Sequence, residues 1–327
     1  MLLSHSGFEL GPLCGQSTAG REITTVLPSL HGLVTGTIAA TEPADIARAC
    51  DVAFCALPHG ASAGIVAELR SHGVVVFDLS ADFRLSDPAV YAEWYGQHLA
   101  PELFGQAVYG LVELNREALR TADLVAVPGC YPTASNLALM PLVAEGLIEL
   151  EGIVINALSG VSGAGREPKS TTHLPEASEG IRAYKVAGSH RHTPEIEQVL
   201  GGLAQRPIRL TFSPHLVPMS RGILVTAYAT AKPGTTAERC TEAARAMYEG
   251  SPSVAVLDAG TNPDTLWVRG SNRAHVAYHL DGRTSQIVAM GTIDNLVKGA
   301  AGQAIQGANV RFGFEEAEGL RAPGAWP

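Results

Sequence analysis

The chain has 327 residues, 46% of them hydrophobic and 17% charged, enough to bury a sizeable core and long enough for two domains. Its net charge of −9, without a concentrated basic stripe, argues against a nucleic-acid partner. Gly, Pro or a charge interrupts every apolar run short of the roughly 18 to 20 residues of a membrane span. The opening MLLSHSGFEL has neither a basic leader nor a cleavage site, so a soluble, cytoplasmic protein is expected, with no membrane partner.

In chain order, LLSHSGFEL reads as the end of a helix running into a strand, with no G-x-G-x-x-G or G-x-x-G-x-x-G turn near the start. Against the usual βαβ unit, one strand and most of one helix are missing, as if the start had been trimmed. DVAFCAL (51 to 57), ASAGIVAELRSHG and VVVFDLS (74 to 80) then form a strand, helix, strand pattern. That pattern predicts a parallel sheet with ligands at the carboxyl ends of its strands. ALPHG (56 to 60) ends one such strand, placing Pro58, His59 and Gly60 toward a cofactor. LSADFRL (79 to 85) places Ser80, Asp82 and Arg84 beyond the next. Arg84 reads either as a clamp for a substrate carboxylate or as half of a surface pair with Asp82.

DLVAVPG (123 to 129) is a further strand, leading into the helix PTASNLALMPLVAEG with Cys130 at the junction. The positive end of the helix dipole favours a thiolate there, and Pro128, Gly129 and Pro132 predict an exposed, sharply presented nucleophile. The alternative is a buried structural thiol, which is how Cys14, Cys50, Cys55 and Cys240 are read. Five scattered cysteines without CxxC spacing argue against disulfides and against structural zinc.

After residue 150, IVINALSG, RLTFSPHLV, GILVTAYAT, TLWVRG, AHVAYHL and SQIVAMGT read as strands, and about 194 to 204 and 235 to 249 as helices. SGVSGAGREP (159 to 168) is either a functionless turn or an anion loop, whose glycines admit backbone amides and whose Arg166 clamps a phosphate or carboxylate. In GSHRHTPEIEQ (188 to 198), His190 and His192 precede a helix start at Thr193-Pro194. Glu195 follows, placed to orient an imidazole or cap the helix. An acyl-transferring cysteine needs such a proton carrier, whereas a metal reading of His-x-His lacks a third ligand at readable spacing, and no metal is expected. IDNLVKGAAGQA (293 to 304) offers Asn295 to a nicotinamide carboxamide, with Lys298 read as a solvated helix charge. The closing helix is expected to pack back onto the first domain, and the tail GLRAPGAWP to be loosely ordered.

The fold class that follows is α/β: a Rossmann-like parallel-sheet domain and a second α+β domain with a mixed, largely antiparallel sheet. The boundaries are 1–130 with 294–327 for the first, N-terminally incomplete, and 131–293 for the second.

Taken together, ALPHG, SADFR, YGL-x-ELNR (109 to 116), PGCYPT, SGVSGAGR, HRHTPEIEQ, PHLVPMSRGIL (214 to 224), RGSN (269 to 272) and DNLVKGAAGQA closely resemble the N-acetyl-γ-glutamyl-phosphate reductase family. That family is the arginine-pathway relative of aspartate-semialdehyde dehydrogenase. The resemblance runs from about Leu2 to the C-terminus, and nine motifs in register make it specific. It implies NADPH-dependent reduction of N-acetylglutamyl 5-phosphate to N-acetylglutamate 5-semialdehyde, with phosphate released and the acyl group carried as a thioester on Cys130.

The resemblance further implies His192, or alternatively His190, as general acid and base with Glu195 behind it. It assigns Arg84, Ser159, Ser162, Arg166 and Arg221 to the substrate, and Pro58, His59, Gly60, Ser80, Gly163, Gly165 and Asn295 to NADP(H). Homodimers or homotetramers are implied as well. Three departures stand out: the absent Gly-rich turn, for which weak NADP binding is expected; Val127 where many members have Asn; and Gly15-Gln16 where members often have the Ser-Arg pair that suits a 2′-phosphate. The competing readings are a sister reductase of aspartyl phosphate or a carrier-linked aminoadipyl phosphate, a truncated non-catalytic product, and a cysteine hydrolase or acyltransferase.

Overall fold

Four short apolar runs make the first sheet of the computed structural model, which describes residues 1–165 and 170–326. They are β1 (Val52–Cys55), β2 (Val75–Asp78), β3 (Val108–Tyr109) and β4 (Leu124–Ala126), in the order β1-β2-β4-β3 with every pairing parallel. Every residue of β2 is buried, as a strand covered on both faces must be. The crossover helix Ser62–Ser71 buries Ser62, Ala63, Val66 and Leu69 against it. The C-terminal helix Gly302–Phe312 returns to this sheet and packs Ala304, Ala308 and Val310 against Val75, Phe77 and Val125.

Ahead of β1 the chain departs from the expected helix end and strand. Leu2–Ser4 is one short 3₁₀ turn, and Cys14 makes a single parallel bridge to Ala39. His5 docks this segment on the closing helix through Nε2 to Asn309 Oδ1 at 2.7 Å.

The second sheet has seven strands: β5 (Val154–Gly160), β6 (Arg182–Ala183), β7 (Thr211–Val217), β8 (Ile223–Thr230), β9 (Val254–Val256), β10 (Ala274–Asp281) and β11 (Gln286–Ile293). Their order is β6-β7-β5-β8-β11-β10-β9, antiparallel except for the β5–β7 and β9–β10 pairs. TLWVRG is not a strand: Thr265–Trp267 is a 3₁₀ turn in which Asp264 accepts from the Leu266 amide at 2.8 Å. The two-residue β6 and three-residue β9 fall below the length at which alternation is visible. The tail is tied rather than loose, since the Ala325 amide donates to Arg269 O at 2.8 Å.

The chain passes from the first sheet to the second through the helix Cys130–Ala144, in which every residue from Tyr131 to Val143 is buried. A helix apolar all round is a core helix. It rests on the inner face of β8 and β11. At Gly291 a Cβ would sit 2.8 Å from Ala134 O, so only glycine permits that approach. Because the helix begins directly after β4, Cys130 stands at the carboxyl edge of the parallel sheet. Among the described residues no helix is long and apolar enough to cross a membrane.

Candidate active site

Cys130 is the first residue of the core helix, with Gly129 as its N-cap. The thiol is half-buried rather than exposed. Burial pushes it up to about 11, outweighing the Arg84 charge and the Tyr131 backbone amide, which pull the other way. The expected thiolate is therefore corrected to a resting thiol, because desolvation of a sulfur anion exceeds what a helix terminus returns.

Gly129 is the point on which the site turns. Its amide donates to Glu195 Oε1 at 2.8 Å. A Cβ there would lie 2.5 Å from His192 Nε2 and 2.9 Å from Arg84 Nη1, so the imidazole and the guanidinium close directly on the glycine.

The two histidines differ sharply. His190 accepts from the His192 amide at Nδ1 (3.1 Å), and its ring is boxed edge-to-face by Tyr131, Tyr184 and Phe212. Burial, reinforced by Lys185 and Arg191, pushes it down to about 4. His192 is also held well below the ordinary histidine range, first by burial and then by His190 and Arg84. Its Nδ1 makes no hydrogen bond, and its Nε2 faces Gly129. His192 is thus a neutral imidazole beside the thiol turn, and His190 part of the wall behind it.

Glu195 lies in the first turn of the helix Thr193–Ala204 and is fully buried. It does not orient an imidazole. It accepts from Tyr109 Oη (2.8 Å) and the Gly129 amide, and it pairs with Arg84 at 3.5 Å. Arg84 in turn donates through Nε to Val127 O and through Nη2 to Leu79 O, each at 2.7 Å. With three of its N–H groups held inside the protein, Arg84 is not the surface partner of Asp82. Asp82 is buried and caps the next turn, accepting from the Gly60 amide (2.8 Å), the Ala63 amide (3.0 Å) and Tyr91 Oη (3.2 Å).

At the ends of β1 and β2, Pro58, His59 and Gly60 are exposed, and His59 Nδ1 accepts from the Ala81 amide at 2.9 Å. Ser80 turns away from them. Its hydroxyl donates to Asp78 Oδ2 at 2.5 Å and accepts from the Asp82 amide at 3.1 Å, so it braces the loop from within.

A second group of expected residues gathers around Asn295. Its Oδ1 accepts from the Gly222 amide at 2.8 Å, and its Nδ2 donates to Ser162 Oγ at 3.0 Å. A Cβ on Gly163 would come within 3.1 Å of Ser159 Oγ and 3.5 Å of Asn295 Nδ2, and Gly165 follows at φ +88° with open space beside it. Arg221, about one-third exposed, pairs with fully buried Asp294 at 3.1 Å, and its buried Nε has no partner. Arg166 lies outside the described residues.

Four residues beyond Asn295, a Cβ on Gly299 would lie 2.8 Å from Cys130 Cβ, so this segment presses on Cys130. Lys298 is not a solvated charge. It is fully buried and donates to Glu113 Oε1 and Gln306 Oε1, each at 2.7 Å. Tyr109, Glu113 and Gly299 are the residues that sequence reasoning passed over. All three sit inside quoted motifs, but their partners are far away in the chain.

Residues 1–122 match the semialdehyde dehydrogenase NAD binding domain, and residues 130–295 the semialdehyde dehydrogenase dimerisation domain. N-acetyl-gamma-glutamyl-phosphate reductase of Pelobacter propionicus is 45% identical over 327 residues, covering 100% of this chain and 94% of the relative. The Rhodospirillum rubrum reductase of the same name is 47% identical over 98% of this chain and 92% of its own length. In overall fold the chain resembles aspartate semialdehyde dehydrogenase II from Vibrio cholerae (TM-score 0.68, 18% identity, covering 91% of this chain and 88% of the other). It equally resembles the Candida albicans aspartate semialdehyde dehydrogenase crystallised with NADP (TM-score 0.68, 17% identity, 94% of this chain and 92% of the other).

Proposed function

This chain belongs to the N-acetyl-gamma-glutamyl-phosphate reductase family, and from that premise we propose that Cys130 carries the acyl group of N-acetylglutamyl 5-phosphate while it is reduced to N-acetylglutamate 5-semialdehyde. The product and the released phosphate place the reaction in arginine biosynthesis. The observation that carries the reading is the closure of His192 Nε2 on Gly129, one residue from the thiol.

A resting thiol beside a neutral imidazole is a matched donor and acceptor. As Sγ bonds to the γ-carbonyl carbon, its proton passes to His192 and then leaves with the phosphate, giving a thioester. The free amides of the first helical turn stabilise the oxyanion, since Gly129 N is already committed to Glu195. A proton returned through His192 accompanies C–S cleavage, which releases the aldehyde and restores the thiol. Arg221, with Ser159 and Ser162, holds the substrate's anionic groups. Arg84 and Glu195 position the Gly129 turn from behind.

NADP(H) fits the residues present. Gly60 and Gly165, at φ +79° and +88° with open space beside them, allow close backbone approach, and Asn295 keeps one amide proton uncommitted. Pro58, His59, Gly60, Gly163, Gly165 and Asn295 would hold the cofactor. When bound, its nicotinamide supplies the hydride that brings the acyl carbon to the aldehyde level. In this proposal residues 1–130 with 294–327 form the nucleotide domain, and 131–293 the catalytic and association domain. Two copies meet through the outer face of β5, β8, β11 and β10, giving a homodimer or homotetramer.

Cys130→Ser is expected to abolish acyl-phosphate reduction while circular dichroism and the melting temperature stay near wild type. His192→Asn should lower kcat far more than His190→Asn. An active Cys130→Ser enzyme would refute the assignment, and the reverse histidine ranking would move the proton carrier to His190.

A further inference from the structure

Glu113 and Lys298 are both closed off from solvent, and their ion pair takes no part in the chemistry above. The pair sits in a larger network. Gln306 Nε2 donates to Glu113 Oε1 at 3.0 Å and to Glu316 Oε1 at 2.8 Å, while Asn272 Nδ2 donates to Gln306 Oε1 at 2.8 Å. Burying two charges is costly, and apolar side chains of like volume commonly serve stability as well or better. What the pair provides must therefore be sought in what it holds.

It joins two segments that end on the same turn. Glu113 belongs to the helix Val112–Leu119, which begins three residues after Tyr109, and Tyr109 Oη holds the Glu195 carboxylate that receives the Gly129 amide. Lys298 belongs to the π-helical turn Val297–Ala301, and its neighbour Gly299 abuts Cys130 Cβ. Gln303 Nε2 ties the two segments again, donating to Gly110 O at 2.8 Å. The π turn runs straight into the closing helix Gly302–Phe312.

We propose that the Glu113–Lys298 ion pair is a positioning device for the nucleophile, clamping the Tyr109 and Gly299 segments onto two sides of the Cys130 turn. This rests on the reading of Cys130 as the acyl carrier. Glu113 and Lys298 touch neither substrate nor cofactor; they act through Glu195 and Gly299.

The test uses the full chain and three variants: Lys298→Met, the neutral double variant Glu113→Gln with Lys298→Met, and Gly299→Ala, which leaves the ion pair intact. Iodoacetamide labelling of Cys130 is followed by peptide mass across pH, with fully buried Cys240 as an internal check on folding. The double variant is expected to keep Cys240 protected, to label Cys130 at lower pH than wild type because water reaches the loosened turn, and to lose roughly a hundredfold in kcat with KM little changed. Gly299→Ala should shift Cys130 labelling and lower kcat as well. Wild-type labelling and kcat in the folded double variant would overturn the proposal. So would a wild-type Gly299→Ala enzyme, even if the double variant failed to fold. Labelling reads the sulfur without turnover, so an active Cys130→Ser enzyme would remove the catalytic reading while leaving the clamp standing.

Discussion

At the scale of single residues, the site is an exercise in desolvation. Cys130, His190 and His192 all rest in their neutral forms because burial disfavours the charged ones. For His190 this has a consequence for stability. Its ordinary value of 6.5 in the unfolded chain falls to about 4 in the folded one, so between these limits the unfolded state binds more protons. The contribution is full above pH 6.5 and is lost as pH falls toward 4, with an upper bound of about 3 kcal/mol. Urea midpoints at pH 7 and pH 5 should therefore drop more for wild type than for His190→Gln; equal drops would show that His190 titrates like a solvated histidine. Cys130, His190, His192 and Glu195, which the structure brings around one turn, were all singled out by the sequence. It could not separate their roles, because two imidazoles one residue apart look alike until one is boxed by Tyr184 and Phe212.

Among the elements, legibility followed length and periodicity. β1, β2, β5, β7, β8, β10 and β11 were readable as apolar or alternating runs, and the core helix as an apolar stretch punctuated by Pro132 and Pro141. β6 and β9 were too short to carry a pattern, and TLWVRG was strand-like in composition but is turned by the Asp264 cap. Lys298 was misread for a physical reason: its partner Glu113 is 185 residues away, and nothing local announces that a lysine among small residues is buried. Removing one member of such a pair strands a charge, at a cost of about 3 to 5 kcal/mol. Lys298→Met alone should accordingly lower the denaturant midpoint well below that of the neutral double variant. If the single and double variants melt together, the pair contributes no mutual compensation.

For the whole molecule, the second sheet separates two surfaces. Its inner face, from Ile155 and Ala157 to Val225, Ala227, Ile287, Ala289 and Val276, is buried under the core helix. Its outer face carries Leu158, Leu224, Val288 and Met290, half-buried, and Tyr228, 37% exposed. An apolar sheet face of this kind suits a second copy of the chain. Met290→Arg is expected to reduce the light-scattering mass to that of one chain, and an unchanged mass would place the contact elsewhere.

In the proposed reaction an acyl group resides on one sulfur between phosphate loss and reduction. Mixing the enzyme with N-acetylglutamyl 5-phosphate in the absence of NADPH, quenching in acid, and mapping peptide masses alongside released phosphate looks for that intermediate itself. One N-acetylglutamyl adduct is expected, on the peptide bearing Cys130, matched by one phosphate per site. Phosphate release with an unmodified Cys130, or an adduct on any other residue, would contradict it.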